Sequence, residues 1–191
     1  MKTGMSLRSI CNFAYLLTLA LIKASAMINE IALVEVPPNG SDYETERNKP
    51  IPNKIHGAIQ HKISVLLDQY SDRYLFTTEV SLDTTPSSTP DVLIFPIKKL
   101  SWKNIEAKEK EMPITTIEII SPSQSIEELA AKAWNIYFPA GVRSAWIVVP
   151  PLKTVMILLP DDQELVFSQG ELLDPTTGIQ LSLERIFECM V

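Results

Sequence analysis

Two kinds of residue that would assign the chain to a specialised class are scarce in this sequence of 191 residues. It has only two cysteines, Cys11 and Cys189, one near each end, which gives neither a disulfide framework nor the spacing of a zinc site. Basic residues are also few, because 17 Lys and Arg stand against 23 Asp and Glu for a net charge of -6. Any contact with nucleic acid would therefore need a local basic patch rather than a basic surface overall.

Long apolar runs are missing as well, and the nearest candidate lies at the N-terminus. Lys2 and Arg8 precede the apolar stretch FAYLLTLALI, and ASA at residues 24–26 follows it, which is the pattern of a cleaved secretory signal. The uninterrupted apolar run is shorter than the roughly 20 residues that a membrane-spanning helix needs, so no span is predicted. The alternative is that translation starts at Met27 and that residues 1–26 are an extension that only resembles a signal.

The rest of the chain has the composition of one globular domain. Hydrophobic residues make up 46% of the sequence, which is enough to bury a core without disulfides or metals. Residues 27–53 are predicted to be an N-terminal arm, which ends in the polar, proline-containing stretch NGSDYETERNKPIPN. Residues 54–191 then form the predicted domain, in which no internal repeat or low-complexity tract is visible.

Hydrophobic spacing predicts the secondary structure of this domain. Residues 54–70 form a helix capped by Asn53, and the segment at residues 125–142 contains a second, amphipathic helix that Pro139 to Gly141 end. Short apolar runs between turn residues predict strands in RYLFTTEVSL, DVLIFP, PITTIEII, SAWIVVP, TVMILLP and ELVFSQG, with a hairpin of the first two and a closing helix near SLERIFE. Strands on both sides of a helical crossover predict an α/β fold with a mixed β-sheet flanked by helices.

Two acidic residues interrupt the predicted strands. Asp91 directly follows Pro90 at the start of the second strand, and Glu118 lies among isoleucines in the middle of the third. Neighbouring strands could place the two carboxylates side by side, where a cation such as Mg²⁺ would relieve their repulsion. From these two residues alone, the simpler interpretation is a turn residue at Asp91 and a solvent-facing side chain at Glu118.

Lys132 lies at the edge of the apolar face of the second helix, from where its ammonium group could reach inward along the sheet. An ammonium group there could stabilise an attacking hydroxide or the negative charge of a transition state. Glu128 lies one turn earlier in the same helix. From helix geometry alone, an exposed Glu128–Lys132 pair at i,i+4 is therefore the simpler interpretation.

In their order along the chain, the segments HGAIQHKI, PDVLIFP, TTIEIISPS, EELAAKAWNIYFPAGV and SAWIVVP resemble the Uma-type restriction endonuclease family of the PD-(D/E)XK nuclease superfamily. The resemblance covers most of residues 49–187 and depends on the combination rather than on a single motif. It implies an endonuclease-like core in which Asp91 and Glu118 bind Mg²⁺ or Mn²⁺, Lys132 is the catalytic lysine, and DNA is the substrate.

Two features depart from the pattern of that family. The common Glu-x-Lys motif of the superfamily places its lysine two residues after the glutamate, where this chain has Ile120. The resemblance therefore assigns the role of that lysine to the helix. Glu128 stands where the family usually has an aspartate one turn before the lysine, and the spacing from Lys132 to Tyr137 is one residue longer than in the family.

Three further residues are candidates for accessory roles. His56 falls at the border of the apolar face of its helix and can face inward, whereas His61 falls on the polar side. The family often has a histidine where His56 stands, although a capping or core-edge role is the simpler interpretation. Glu79, on the first strand, is either a further acidic ligand or a surface residue. Glu128 is the third accessory candidate.

The residues and the resemblance together predict a metal-dependent endonuclease that hydrolyses phosphodiester bonds in DNA. The alternative is a catalytically inactive module with a nuclease fold that binds nucleic acid or protein, to which the acidic composition gives some support. Because DNA is the expected partner, we expect a cytoplasmic protein that begins near Met27, with export as the alternative that the signal-like segment leaves open. A homodimer would suit the cutting of both strands.

Overall fold

The computed structural model describes residues 52–101, 103 and 106–188, all of which belong to one compact unit, Asp42–Val191. The predicted extension, residues 1–26, and the predicted arm up to residue 51 lie outside the described residues. The start near Met27 and the signal-like character of the extension therefore stay predictions. Among the described residues, no helix combines the length and the apolar character needed to cross a bilayer.

The domain begins with helix α1, Lys54–Leu67, which continues into a 3₁₀ turn, Asp68–Tyr70. The side chain of Asn53 accepts a hydrogen bond of 2.9 Å from the backbone N–H of His56, which satisfies one of the amides that a helix leaves unpaired at its start. One face of α1 is buried through Ile59, Ile63, Leu66 and Leu67. The predicted helix and its cap are confirmed.

Six strands form one mixed sheet in the order β1-β2-β3-β4-β5-β6. They are β1 (Tyr74–Thr78), β2 (Val92–Pro96), β3 (Thr115–Ile119), β4 (Ser144–Val149), β5 (Thr154–Leu159) and β6 (Gln163–Phe167). Within this sheet β3 and β4 are parallel, and every other neighbouring pair is antiparallel. The predicted α/β fold, its mixed sheet and its first hairpin are confirmed.

A parallel pair of strands needs a crossover connection, and a helical segment at residues 126–140 supplies it between β3 and β4. The segment consists of α2 (Ile126–Lys132), a π-helical turn (Ala133–Tyr137) and α3 (Phe138–Ala140). Ser125 and Glu128 form a capping box at its start. Gly141 ends it with a φ of 106°, a left-handed conformation that glycine adopts without a steric penalty.

A short hairpin and a closing helix complete the domain. They are β7 (Glu171–Leu173), β8 (Gln180–Ser182) and α4 (Leu183–Phe187). The sequence predicts the closing helix but not the hairpin, because strands of three residues are too short to show a period of two.

The sheet separates two hydrophobic clusters. On one face α1 and α4 pack against alternate residues of the strands, including Ile117 and Ile119 of β3. On the other face the helical segment 126–140 packs against the intervening residues, including Leu93 of β2 and Ile147 of β4. Because successive side chains of a strand point to opposite faces, Glu118 lies on the face that this helical segment covers.

Candidate active site

Asp91 lies where the chain enters β2, and its side chain is fully buried. Its Oδ2 accepts a hydrogen bond of 2.7 Å from the backbone N–H of Ile119 on β3. Its Oδ1 lies 3.0 Å from Nε2 of His56 on α1. The backbone carbonyl of Asp91 accepts a further hydrogen bond of 2.9 Å from the side chain of Gln60. A neighbouring strand and α1 therefore fix this carboxylate.

Glu118 is only 5% exposed, which excludes the interpretation of a solvent-facing side chain. Its Oε1 accepts one hydrogen bond of 2.8 Å from Nζ of Lys132 and another from the hydroxyl of Tyr137. Lys132 therefore pairs with a strand residue rather than with Glu128, which closes the capping box of its own helix. The reason is the direction of the side chain, since Lys132 reaches inward to the sheet rather than along the outside of the helix.

The π-helical turn explains how Lys132 and Tyr137 reach the same carboxylate. Five residues apart in an α-helix, they would lie about 140° from each other around the axis. Here the N–H of Phe138 donates to the carbonyl of Ala133, five residues earlier, so the turn is one residue wider. This wider turn returns Tyr137 to the side of Lys132, and Nζ of the lysine lies 5.5 Å from the centre of the tyrosine ring.

Tyr137 is fully buried and joins Glu118 to a residue of the β1–β2 connection. Its hydroxyl lies 2.7 Å from Oγ of Ser88 and also forms a hydrogen bond with Oε1 of Glu118. Burial raises the pKa of the phenol well above its ordinary value, and the negative charge of Glu118 raises it further. The phenol therefore stays protonated and donates a hydrogen bond to Glu118, which makes Ser88 the donor in the other bond.

A second group of ligand atoms lies on the α1 side of the sheet. One ligand atom each from His56, Glu79 and Asp91 lies within 4.8 Å of the others. His56 is 2% exposed and faces inward, whereas His61 on the same helix is exposed, as the helical spacing predicted. Glu118 is not part of this group of described residues.

Glu79 differs slightly from its predicted position. It lies one residue beyond the end of β1 rather than on the strand, with a φ of 59°, because the chain turns there out of the strand. Its Oε1 accepts a hydrogen bond of 3.0 Å from the side chain of Gln60. The same amide nitrogen holds the carbonyl of Asp91, so one side chain of α1 ties Glu79 to Asp91.

The two predicted carboxylates therefore contact different helical segments. Asp91 contacts α1, and Glu118 contacts the helical segment 126–140. The two residues are nevertheless neighbours in the strand pairing. Val92 pairs with Ile117 in the β2–β3 register, and the next residue outward is Asp91 on one strand and Glu118 on the other. Asp91 also takes its hydrogen bond from the residue that directly follows Glu118.

Sequence reasoning missed the residues that hold the candidate ligands in place. They are Gln60, Ser88, Ser121 and Tyr137. The helical spacing of apolar residues predicts Tyr137 on the apolar face of the helix, which is correct for its buried ring. The additional residue between it and Lys132 was the available signal that its hydroxyl has a special position.

A third buried carboxylate, Asp174, lies outside this constellation. Its Oδ2 accepts hydrogen bonds from Oγ of Ser144 at 2.9 Å and from Nε1 of Trp146 at 3.1 Å. Its Oδ1 accepts a bond of 2.8 Å from the backbone N–H of Thr176. These donors are neutral and belong to β4 and to the loop of Asp174 itself, so its evident role is to tie that loop to the sheet.

Comparison with known proteins agrees with this architecture. The model of the Uma2 family, described as "Putative restriction endonuclease", matches residues 40–187. The curated proteins include no match to this sequence. Among solved structures, the chain is similar to a protein from Anabaena variabilis ATCC 29413 described as "a putative nuclease belonging to DUF820". The two share 23% identity with a TM-score of 0.64, over 75% of this chain and 86% of that chain, a likeness that shows the fold.

The resemblance to the Uma-type family found in the sequence is thereby confirmed. The matched region contains all six strands of the sheet and the helices that cover both of its faces. Because the family model matches well over half of the chain, this protein belongs to the Uma2 family of restriction endonuclease-like proteins.

Proposed function

We propose that this protein is a metal-dependent endonuclease that hydrolyses phosphodiester bonds in DNA, with Asp91, Glu118 and Lys132 as its catalytic residues. Membership of a family described as "Putative restriction endonuclease" supports the nuclease activity. The observation that carries the proposal is the 2.8 Å contact between Nζ of Lys132 and Oε1 of Glu118, beside the buried Asp91. The ammonium group of Lys132 and the carboxylates of Glu118 and Asp91 come from separate elements and lie at the same end of the β2–β3 pair.

Fold stability alone gives a weak reason for the Lys132–Glu118 pair. The two side chains are only 11% and 6% exposed. Taking two charges out of water costs free energy that their attraction often does no more than offset. A role of the pair in the chemistry of the site explains its position better than a contribution to stability does.

The donors present fit a divalent cation. Carboxylate oxygens are the hard ligands that Mg²⁺ and Mn²⁺ take in proteins. The buried Nε2 of His56, which faces Asp91, makes no hydrogen bond with any described residue. A cation held at Asp91, with Glu118 as the second predicted ligand, would lower the pKa of a bound water and neutralise charge on the phosphodiester.

The side chains of the site divide the remaining work. Asp91 is held in one orientation by the N–H of Ile119 and Glu118 by the hydroxyl of Tyr137, so both ligands are positioned before substrate arrives. Lys132 supplies positive charge where negative charge develops in the transition state. Its contact with Glu118 describes the protein without substrate, and catalytic contacts commonly rearrange when substrate binds.

The test is the nicking of supercoiled plasmid in Mg²⁺ or Mn²⁺ by the wild type and by Asp91→Asn, Glu118→Gln and Lys132→Met. Each change keeps the approximate shape of the side chain and removes a charge, so we expect nicking to fall about 100-fold or more while folding is retained. Lys62→Met is the matched control, because this lysine pairs with Glu188 at the surface. It should cut like the wild type.

Two results would contradict the proposal. If both acidic variants cut at the wild-type rate, the catalytic site lies elsewhere. If the wild type binds DNA without cutting it under any divalent cation, the protein is instead the inactive binding module to which the acidic composition gave some support.

A further inference from the structure

The turn between β4 and β5, residues 150–153, lies at the same end of the sheet as the candidate active site. In the parallel pairing of β3 with β4, Glu118 pairs with Ile147, and β4 ends two residues later at Val149. Parallel strands end at the same edge of a sheet, so the turn leaves β4 at the edge where Glu118 lies. Asp91 lies at this edge as well, because β2 starts where its antiparallel neighbour β3 ends. The turn is therefore close to the site.

The start of helix α1 lies at this edge too. His56, in the first turn of α1, approaches the carboxylate of Asp91 to 3.0 Å. The 3₁₀ turn Pro150–Leu152, which forms most of the β4–β5 connection, contacts α1. Two neighbouring segments, the β4–β5 turn and the first residues of α1, therefore lie beside the site.

Both segments present lysine and apolar side chains to solvent. Lys54 and Lys153 are exposed, and neither forms an ion pair with a residue that the structure describes. Leu152 is 66% exposed, the most of any large hydrophobic side chain among the described residues, and Ile55 is 48% exposed. The two segments thus provide unpaired positive charge beside the site of a chain whose net charge is -6. Contact of such an acidic protein with nucleic acid requires local positive charge of this kind.

The β4–β5 turn is held in one conformation. Pro150 and Pro151 fix two of its φ angles. The N–H of Lys153 donates a hydrogen bond of 3.1 Å to the carbonyl of Pro150, and the hydroxyl of Thr154 donates one of 3.0 Å to the carbonyl of Leu152. Lys153 has a φ of 49°, in the left-handed region that glycine adopts more easily. Leu152 and Lys153 are therefore presented on an ordered backbone, which lowers the entropy cost of binding a partner.

We propose that the β4–β5 turn and the start of α1 bind a DNA duplex, with Lys54 and Lys153 on its phosphates and Leu152 in its minor groove. Lysine contacts to phosphates position a protein on DNA without reading its sequence. Leucine is one of the apolar side chains that proteins insert into the minor groove. The inference rests on the proposed function, since it names the surface that brings a phosphodiester to the candidate active site.

The test measures DNA binding in EDTA, so that the duplex is not cut during the titration. A short fluorescein-labelled duplex is titrated with the full-length protein, and fluorescence anisotropy is recorded at several salt concentrations. We expect Lys54→Gln and Lys153→Gln each to weaken binding about fivefold and to lower the slope of log K against log salt by about 0.9. Leu152→Ser should weaken binding about threefold with the slope unchanged, because it removes an apolar contact and no charge.

Matched controls lie at the opposite end of the β2–β3 pair. Ile97 and Lys99 follow the end of β2 that is farthest from Asp91, and both are exposed, as Leu152 and Lys153 are. Ile97→Ser and Lys99→Gln should bind the duplex like the wild type. Thermal unfolding of every variant checks that it is folded. Should Lys153→Gln fail to fold, Lys54→Gln still decides, because it changes a separate segment.

Three outcomes would overturn the proposal. One is a wild type that does not bind the duplex, and another is equal weakening by Lys99→Gln and Lys153→Gln, which would indicate attraction by any surface lysine. The third is wild-type binding by both Leu152→Ser and Lys153→Gln, which would leave this turn to a partner other than DNA.

Failure of the proposed function gives a different result. Duplex binding that depends on Lys153 and Leu152, without plasmid nicking in Mg²⁺ or Mn²⁺, would contradict the nuclease activity and leave this DNA-binding surface standing. Plasmid nicking by a wild type whose duplex binding does not depend on these two residues would do the reverse.

Discussion

The two buried carboxylates at the end of the β2–β3 pair are held by different kinds of partner. Asp91 is fixed by a backbone N–H and lies against an imidazole, whereas Glu118 is fixed by an ammonium group and a phenol. These two partners of Asp91 are a backbone group of the sheet and His56, which faces the core from α1. One partner of Glu118 is a lysine on a flexible stem that can extend into solvent.

This difference indicates which parts of the site are rigid. Asp91 cannot move without breaking a hydrogen bond to β3, so it is suited to be a fixed ligand. Lys132 is 11% exposed and can turn toward water, so it can leave Glu118 once a metal ion or substrate compensates the charge of that carboxylate. We therefore expect the Asp91 side of the site to be preorganised and the Lys132 side to rearrange when substrate or metal binds.

The largest expected effect is on stability, from truncating each carboxylate. Asp91→Ala leaves the buried N–H of Ile119 unpaired, and we expect it to lower the free energy of unfolding by about 2–3 kcal/mol. Glu118→Ala should cost about 1–2 kcal/mol, because Lys132 can turn to solvent and avoid the penalty of an unpaired buried charge. Urea denaturation measures both values. A larger loss in Glu118→Ala would show that Lys132 is as fixed as Asp91.

The comparison also shows what the sequence could predict of the fold. Apolar spacing located α1, its cap at Asn53 and the strands of the sheet, because these elements bury one face or both. Hydrophobic periodicity carries no information on the three-residue strands β7 and β8. The left-handed turn at Glu79 was missed for a similar reason, since such a conformation is expected at glycine rather than at glutamate.

The candidate site was only partly visible in the sequence. Asp91, Glu118 and Lys132 were assigned through resemblance, whereas helix geometry alone favoured a surface pair between Lys132 and Glu128. Counting angles around a regular helix does not include the sheet on which the helix packs. The same count does not show that the side chain of Glu128 forms the capping box with Ser125. Whether these three residues act together in catalysis stays a prediction.

The next prediction concerns the phenol that orients Glu118. Tyr137→Phe removes a buried hydroxyl with two partners, so we expect it to lower the free energy of unfolding by about 1–2 kcal/mol. The matched control is Tyr74→Phe, whose hydroxyl bonds only the carbonyl of Thr177 from a half-buried position. The control should lose about half as much or less. Equal losses would mean that the Glu118 network adds nothing to an ordinary hydrogen bond.

The same tyrosine predicts a loss of stability in alkali. Burial holds the pKa of Tyr137 above its ordinary value in the folded protein, so the folded state binds one proton more than the unfolded state above about pH 10. Stability contributed by this group is present below pH 10 and falls as pH rises further. Urea denaturation at several alkaline pH values should show a shallower decline for Tyr137→Phe than for the wild type. Identical slopes would contradict the raised pKa.

A smaller effect is expected from removing the N-terminal caps of α1 and α2, the helices that contact Asp91 and Glu118. Asn53→Ala and Ser125→Ala each remove a side chain that accepts a backbone N–H, and we expect each to cost about 1 kcal/mol. Asn53→Ala should in addition weaken Mn²⁺ binding slightly, because Asn53 accepts a hydrogen bond from the N–H of His56, whose side chain lies against the proposed metal ligand Asp91. Thermal unfolding and Mn²⁺ titration of both variants measure the difference. Equal Mn²⁺ affinities would show that the cap stabilises α1 without positioning its histidine.

The smallest effect is expected from removing the additional residue of the π-helical turn. Deleting the exposed Asn135 would leave Lys132 and Tyr137 four residues apart, which in an α-helix is about 40° around the axis and still the same side. We therefore expect both side chains to keep their contacts with Glu118 and plasmid nicking, if present in the wild type, to change less than tenfold. Inserting an alanine after Asn135 is the matched control. It would carry Tyr137 about 100° further round the helix and away from Glu118, with a loss of stability at least as large as that of Tyr137→Phe. A deletion as damaging as the insertion would mean that the wider turn is required by the site rather than accommodated in it.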